Sequence, residues 1–150
     1  MDPEEVKRRF IRNGIVIFLL GLLSGALVPV LTNPRMGVSA HLGGVMSGTF
    51  LIVIGLIWTE IKLSVETEKI AIWLFLYASY TGWLAEFLAA VFGTSRSTPI
   101  GGAGYKGAPW QEYLVGFVAI SFSLTIALAS LLALWGLRSD RITKRGNVRG

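Results

Sequence analysis

Four long apolar stretches, separated by short segments that hold almost all the charge, set the pattern of this chain. They run from Gly14 to Leu31, Ser39 to Thr59, Ile70 to Phe92 and Tyr113 to Leu137. Each is close to or above the ~20 residues that an α-helix needs to cross a hydrocarbon core at ~1.5 Å per residue. The apolar blocks are continuous, unlike the ~10-residue alternating strands of a transmembrane barrel. The pattern predicts an all-α integral membrane protein, a bundle of four transmembrane helices forming one domain over residues 1–150. The first stretch follows Lys7, Arg8, Arg9 and Arg12 and so has the outline of a signal peptide. No small-residue cleavage site follows it, however, and Pro29, Asn33 and Pro34 end the run, so a retained helix is expected.

Composition points the same way. The 150 residues are 53% hydrophobic and 15% charged, whereas a water-soluble domain carries roughly 25% charge. With no cysteine there is no disulfide framework, no thiolate nucleophile and no Cys-ligated metal. The single histidine, His41, excludes multi-His zinc sites and centres that need two axial imidazoles from one chain. Lysine and arginine are unevenly distributed. The amino-terminal segment, the second connection (Lys62, Lys69) and the tail (Arg138, Arg141, Lys144, Arg145, Arg149) hold eleven, against three (Arg35, Arg96, Lys106) on the other side. This asymmetry predicts a multi-pass membrane protein with both termini cytoplasmic. The sequence pI near 9.9 reflects basic residues beside helix ends. They read as topology signals and contacts to anionic membrane lipid, and no nucleic-acid partner is expected. Trp58, Trp73, Trp110 and Trp135 lie near span ends, where indoles anchor in the headgroup layer.

An ionisable group inside a span costs at least ~2.5 kcal/mol on insertion scales, so each needs a partner or a purpose. Glu86 lies sixteen residues beyond Ile70, or ~24 Å along its helix. His41 lies seventeen residues before Trp58, or ~26 Å from the same membrane face. The shared depth predicts that both side chains reach one cavity. The bland alternatives are an acid hydrogen-bonded at a helix interface and an interfacial histidine. Gly44 and Gly48 follow His41 at i+3 and i+7, leaving a face almost without side chains that suits either a second helix or a flat ligand. Gly21 and Gly25 repeat the same GxxxG spacing on the first span, and close helix approach of this kind favours a homo-oligomer. Tyr80, Trp83 and Glu86 span about 120° of a helical wheel and form a candidate aromatic wall beside a carboxyl group, with ordinary aromatic packing as the alternative. Tyr77 faces the other way. The glycine-rich connection from Thr94 to Glu112 is either a cover over an outward-opening pocket or a flexible link.

The stretch NPRMGVSAHLGGVMSGTF (Asn33 to Phe50) resembles the hydroxylaminobenzene mutase family, small four-span bacterial membrane proteins distantly related to styrene oxide isomerase. The likeness continues through GLIW (Gly55 to Trp58), YASYTGW (Tyr77 to Trp83), LAAVFG (Leu88 to Gly93) and PIGGAGYKGAPWQE, leaving out only the termini. The resemblance implies an isomerase that moves a hydroxyl group within an arylhydroxylamine to give an ortho-aminophenol. The related isomerase opens an aryl epoxide to an aldehyde and is a trimer with ferric heme b at its subunit interfaces. By that likeness His41 takes the place of the axial histidine, which makes it the expected iron ligand, with Gly44 and Gly48 beside the cofactor. An asparagine of the isomerase falls on Ser47, a pocket tyrosine on Glu86 and an aspartate on Ala78. Glu86, Tyr80 and Ser47 are the expected catalytic residues, and the expected cofactor is heme b acting as a Lewis acid on a small aromatic substrate. The likeness thus implies a homotrimer. Three other readings remain at this point: an epoxide isomerase, a noncatalytic heme- or lipid-binding membrane protein, and a small multidrug exporter. The last would carry its acid on the first span, which is uncharged from Gly14 to Leu31.

Overall fold

The protein, in a computed structural model, is described over residues 2–138. Arg141, Lys144, Arg145 and Arg149 of the basic tail lie outside the described residues. Helix α1 (Pro3–Leu27) runs into a 3-10 turn (Val28–Val30) and is followed by α2 (Pro34–Leu56), a second 3-10 turn (Trp58–Glu60), α3 (Val65–Phe92) and α4 (Pro109–Arg138). There is no strand among the described residues, and all four helices are long and apolar enough to cross a membrane.

The helices begin earlier than the apolar runs do, because cap residues set a helix end and hydropathy does not. Asp2 accepts a hydrogen bond from the Glu4 N–H at 3.1 Å, and Pro3 occupies the first turn, where its missing N–H removes nothing. Asn33 Oδ1 accepts from the amides of Arg35 and Met36 at 3.1 and 3.3 Å and starts α2 at Pro34. Ser64 caps α3 through the Thr67 N–H at 3.4 Å. The far end of α3 is Phe92, as the apolar run predicts, because Gly93 takes φ +65°, a left-handed conformation that favours glycine.

α1 and α2 pack backbone to backbone. A Cβ on Gly21 would stand 2.6 Å from the Val45 nitrogen, and one on Gly48 2.5 Å from the Gly14 carbonyl oxygen. The two glycine spacings of the sequence therefore face each other across one seam. α3 adds a core toward the chain's amino-terminal end, where Phe10 meets Trp58 edge to face at 4.9 Å and Phe75 at 6.3 Å. Trp58 departs from its expected place as an interfacial anchor. It is 2% exposed, with Nε1 donating to Glu68 Oε1 at 3.2 Å, because the 3-10 turn after α2 swings the indole back onto Phe10 and Phe75. Trp73, Trp110 and Trp135 are exposed as expected. α4 is the least buried helix and presents Phe117, Ile120, Leu124 and Leu131 outward, a surface suited to hydrocarbon.

Candidate active site

At the end of the bundle that carries the 94–112 connection, Glu86 of α3 rests on Gly43 of α2. A Cβ on Gly43 would overlap Glu86 Oε2 and stand 2.9 Å from its Cδ, so only glycine admits the carboxyl group here. Glu86 also lines a cavity of about 170 Å³ between α3 and α4. Gly82 and Ala85 form its wall on α3, Val115, Ala119, Phe122 and Ser123 its wall on α4, and Ser97 and Thr98 come from the connection. Among the described residues, three buried side-chain polar atoms have no hydrogen-bond partner: Glu86 Oε2, Thr94 Oγ1 and Thr98 Oγ1. Two of the three belong to residues that line this one cavity. Buried polar atoms are normally satisfied, so a pair of orphans on a single small cavity marks a place for a polar ligand group. An apolar cavity of ~150 Å³ is known to take benzene, so the space suits one aromatic ring.

The connection is a folded cover. Glu112 ties its two ends together by accepting from the amides of Ser95 (3.1 and 3.2 Å), Arg96 (2.9 Å) and Gly107 (3.0 Å). Asn33 Nδ2 donates to the Gly101 carbonyl at 3.0 Å, and Arg35 donates to that of Ala103 while lying 5.7 Å from the Tyr105 ring. These bonds bring Ser97 and Thr98 to the mouth of the Glu86 cavity.

His41 is half-buried on the α1 side of α2. Its Nδ1 lies 2.9 Å from the Gly21 carbonyl oxygen, and a Cβ on Gly25 would meet the same nitrogen at 2.7 Å, so the ring lies against α1. A carbonyl only accepts, so Nδ1 is the donor of this bond, and in the neutral ring Nε2 is the nitrogen free to ligate. An imidazole oriented this way through a backbone carbonyl is set up to ligate a metal through Nε2. No three His, Cys, Asp or Glu side chains converge among the described residues.

His41 and Glu86 share a level, in keeping with the depth count, because Glu86 sits on Gly43, two residues from His41. Within one chain they turn to different neighbours. Positions two apart on a helix diverge by about 200°, and accordingly His41 faces α1 while Gly43 faces α3. Gly44 and Gly48 also differ from a bare cofactor groove, since α1 fills that face: a Cβ on Gly44 would come within 2.5 Å of Gly21 Cα. Ser47 follows Gly43 at i+4, on the strip turned toward α3, and is half-buried. Trp83 donates to Ser24 Oγ at 2.9 Å and stacks on Phe87 at 5.2 Å. Tyr80 donates to Asn13 Oδ1 at 2.8 Å and lines a different cavity, away from Glu86. Gly43, Ser97, Thr98 and Glu112 are the parts of the site that the sequence reading did not pick out as functional.

The family described as styrene oxide isomerase matches residues 6–138. Hydroxylaminobenzene mutase HabB of Ectopseudomonas oleovorans is 45% identical over 133 residues, covering 88% of this chain and 81% of the relative. Hydroxylaminobenzene mutase HabA of the same organism is 38% identical over 126 residues, 83% of this chain and 93% of the relative. No solved structure matches significantly. The matched region takes in His41, Gly43, Glu86 and the whole connection. The chain belongs to the styrene oxide isomerase family and is an isomerase.

Proposed function

We propose that the protein is a membrane mutase that converts a single-ring arylhydroxylamine to the ortho-aminophenol by intramolecular hydroxyl transfer. The observation that carries this reading is the Glu86 carboxyl group, orphaned on a ring-sized cavity, in a chain whose relatives are named hydroxylaminobenzene mutases. The reaction breaks the N–O bond, forms a C–O bond at the ortho carbon and moves the proton of that carbon to nitrogen. Its formula is unchanged, so no oxidant or reductant is required. The departing hydroxyl needs a proton and the ortho carbon must lose one. A single carboxyl group serves these transfers: it donates as the hydroxyl departs, takes the surplus proton back as the oxygen bonds to the ortho carbon, and then passes that carbon's proton to nitrogen. The Thr98 hydroxyl, on the same cavity, holds the hydroxylamine oxygen, and the walls of Ala85, Val115, Ala119 and Phe122 keep water from capturing the ring.

The cofactor in this reading is heme b, which His41 would hold through Nε2. When bound, ferric iron supplies a Lewis acid that weakens the N–O bond without net redox change. Gly44 and Gly48 serve it indirectly, by letting α1 come close enough for the Gly21 carbonyl to fix the imidazole. The working unit is a homotrimer in the inner membrane with both termini cytoplasmic. Its orientation is supported by the basic asymmetry. Assembly is supported by the placement of His41 and Glu86 on opposite faces of α2, which lets one small ring meet both groups only between subunits.

The test is product formation by protein expressed with heme supplementation and reconstituted in lipid. Conversion of hydroxylaminobenzene to 2-aminophenol is expected, with Glu86→Gln about tenfold slower, which corresponds to about 1.4 kcal/mol of transition-state stabilisation. A Soret band that disappears in His41→Ala is the matching signature of the ligand. Absence of 2-aminophenol from folded protein overturns the mutase reading. Conversion of styrene oxide to an aldehyde in its place assigns epoxide isomerisation, the reading favoured by the family description.

A further inference from the structure

At the amino-terminal end of the bundle, α1 and α3 border a second cavity of about 430 Å³, lined by Arg9, Arg12, Asn13, Trp73, Tyr77 and Tyr80 among others. Its chemistry differs from that of the Glu86 cavity. Two guanidinium groups line it, and no Asp or Glu does. The asparagine and tyrosine groups are already engaged. Tyr80 donates to Asn13 Oδ1 at 2.8 Å, Asn13 Nδ2 donates to the Arg9 carbonyl at 2.8 Å, and Tyr77 donates to Ser121 Oγ at 3.0 Å. Arg9 lies 4.8 Å from the Trp73 ring centroid, which steadies the guanidinium over an aromatic face and leaves its in-plane N–H donors available. The arrangement is an aromatic ring beneath Arg9 with Arg12 on the same cavity and no carboxylate lining it, and it calls for an anion.

The depth of the cavity indicates where that anion comes from. Asn13 is the last polar residue of α1 before the apolar run that begins at Gly14, and Trp73 is 64% exposed. An exposed indole beside arginines at the edge of an apolar run marks the headgroup layer of a bilayer. A phosphate carried there by a lipid would meet the two guanidiniums while its glycerol and upper acyl chains lie along Tyr77 and Trp73. We propose that this cavity binds the phosphate headgroup of an anionic phospholipid, with Arg9 and Arg12 as its ligands. The site is defined and is not a diffuse basic surface. Arg8 and Arg12 are both exposed, but only Arg12 lines the cavity, and Lys7 is drawn to Glu4 at 3.4 Å.

Native mass spectrometry of the full-length protein in mild detergent tests this with three probes: dioleoylphosphatidylglycerol, dioleoylphosphatidylcholine and inorganic phosphate. Retention of phosphatidylglycerol over phosphatidylcholine by about tenfold is expected. Arg9→Gln/Arg12→Gln should remove the preference and Arg8→Gln should keep it. Equal retention of the two lipids overturns the proposal, as does an equal loss in Arg8→Gln, which would mean diffuse charge. Displacement of the lipid by millimolar phosphate also overturns it, in favour of a soluble anion. Should the double glutamine variant fail to fold, Arg9→Lys/Arg12→Lys keeps the charge and loses the planar fork. A preference undiminished in that variant overturns the assignment of the guanidiniums as ligands.

Discussion

Gly43 and Gly44 are neighbours in sequence with different duties, and replacing each by alanine should separate the reaction from the fold. A Cβ on Gly43 falls on the Glu86 carboxyl, the free end of a flexible side chain whose Oε2 has no hydrogen bond to lose. Pushing that group off its rotamer costs about 0.5–1.5 kcal/mol, and filling a helix-interior glycine gains about 0.5–1 kcal/mol. The net change in stability should therefore lie within about 1 kcal/mol of zero. A Cβ on Gly44 instead meets Gly21 Cα at 2.5 Å, Gly21 N at 2.9 Å and Trp83 Cδ1 at 2.9 Å. Backbone cannot rotate aside, so α1 and α2 must part, at the overpacking cost of about 1–3 kcal/mol. The kinetic expectation runs the other way for Gly43→Ala, because displacing Glu86 by the width of a methyl group takes it out of hydrogen-bond reach. Turnover of hydroxylaminobenzene should fall about tenfold or more at nearly unchanged melting temperature. The assays are kcat and KM in lipid nanodiscs and thermal unfolding in detergent. Unchanged kcat in Gly43→Ala would refute the seating of Glu86, and equal destabilisation by the two variants would refute the distinction between carboxyl and backbone contact.

Three further outcomes are expected. Glu112→Ala removes the acceptor of three backbone amides and should lower stability by about 1–3 kcal/mol, with faster amide exchange at Ser95, Arg96 and Gly107; unchanged exchange there would remove Glu112 as the clasp of the cover. Trp58→Ala should cost about 3–5 kcal/mol as a buried large-to-small change, whereas Trp135→Ala, at a 70% exposed indole, should cost less than about 0.5 kcal/mol; calorimetry that ranks them the other way contradicts the placement of Trp58 in the core. Coexpressed His41→Ala and Glu86→Gln chains should recover part of the activity in mixed assemblies, and its absence at every mixing ratio would refute a site shared between subunits.

The fold was legible because lipid makes a coarse demand. Any segment inside hydrocarbon must be apolar over ~20 residues and hydrogen-bonded to itself, so the four runs could be counted directly. The helix ends were less legible from hydropathy, yet Asp2 with Pro3, Asn33 with Pro34, and Ser64 all stand in the sequence as caps. Trp58 was misread for a different reason. Position along the helix places an indole near a span end, but the 3-10 turn after Leu56 decides whether it faces lipid or the rings of Phe10 and Phe75. The 94–112 connection was undecided because glycine-rich composition fits a turn-dense cover as well as a loose link. The deciding bonds join residues far apart, Asn33 to Gly101 and Glu112 to Ser95.

Within the site, depth was legible and direction was not. Rise per residue is fixed, so counting placed His41 and Glu86 at one level. Angle about the helix axis has meaning only once neighbours are known, and the two groups turn to different partners. The missing signal lies in the doubled glycine of HLGGVMSG. A membrane helix packed against one neighbour needs small residues every four positions, which Gly44 and Gly48 supply for α1. Gly43 breaks that spacing and lies about 100° around the wheel from Gly44, so it cannot serve the same seam. A glycine beside a complete GxxxG spacing therefore points to a second approach, here that of the Glu86 carboxyl group. Read this way, the pair separates two functions of α2: Gly44 brings the Gly21 carbonyl to His41, and Gly43 makes room for the acid on the opposite face. The chemistry of the family would then depend on small residues that touch no substrate, since they set where the imidazole and the carboxyl group can stand.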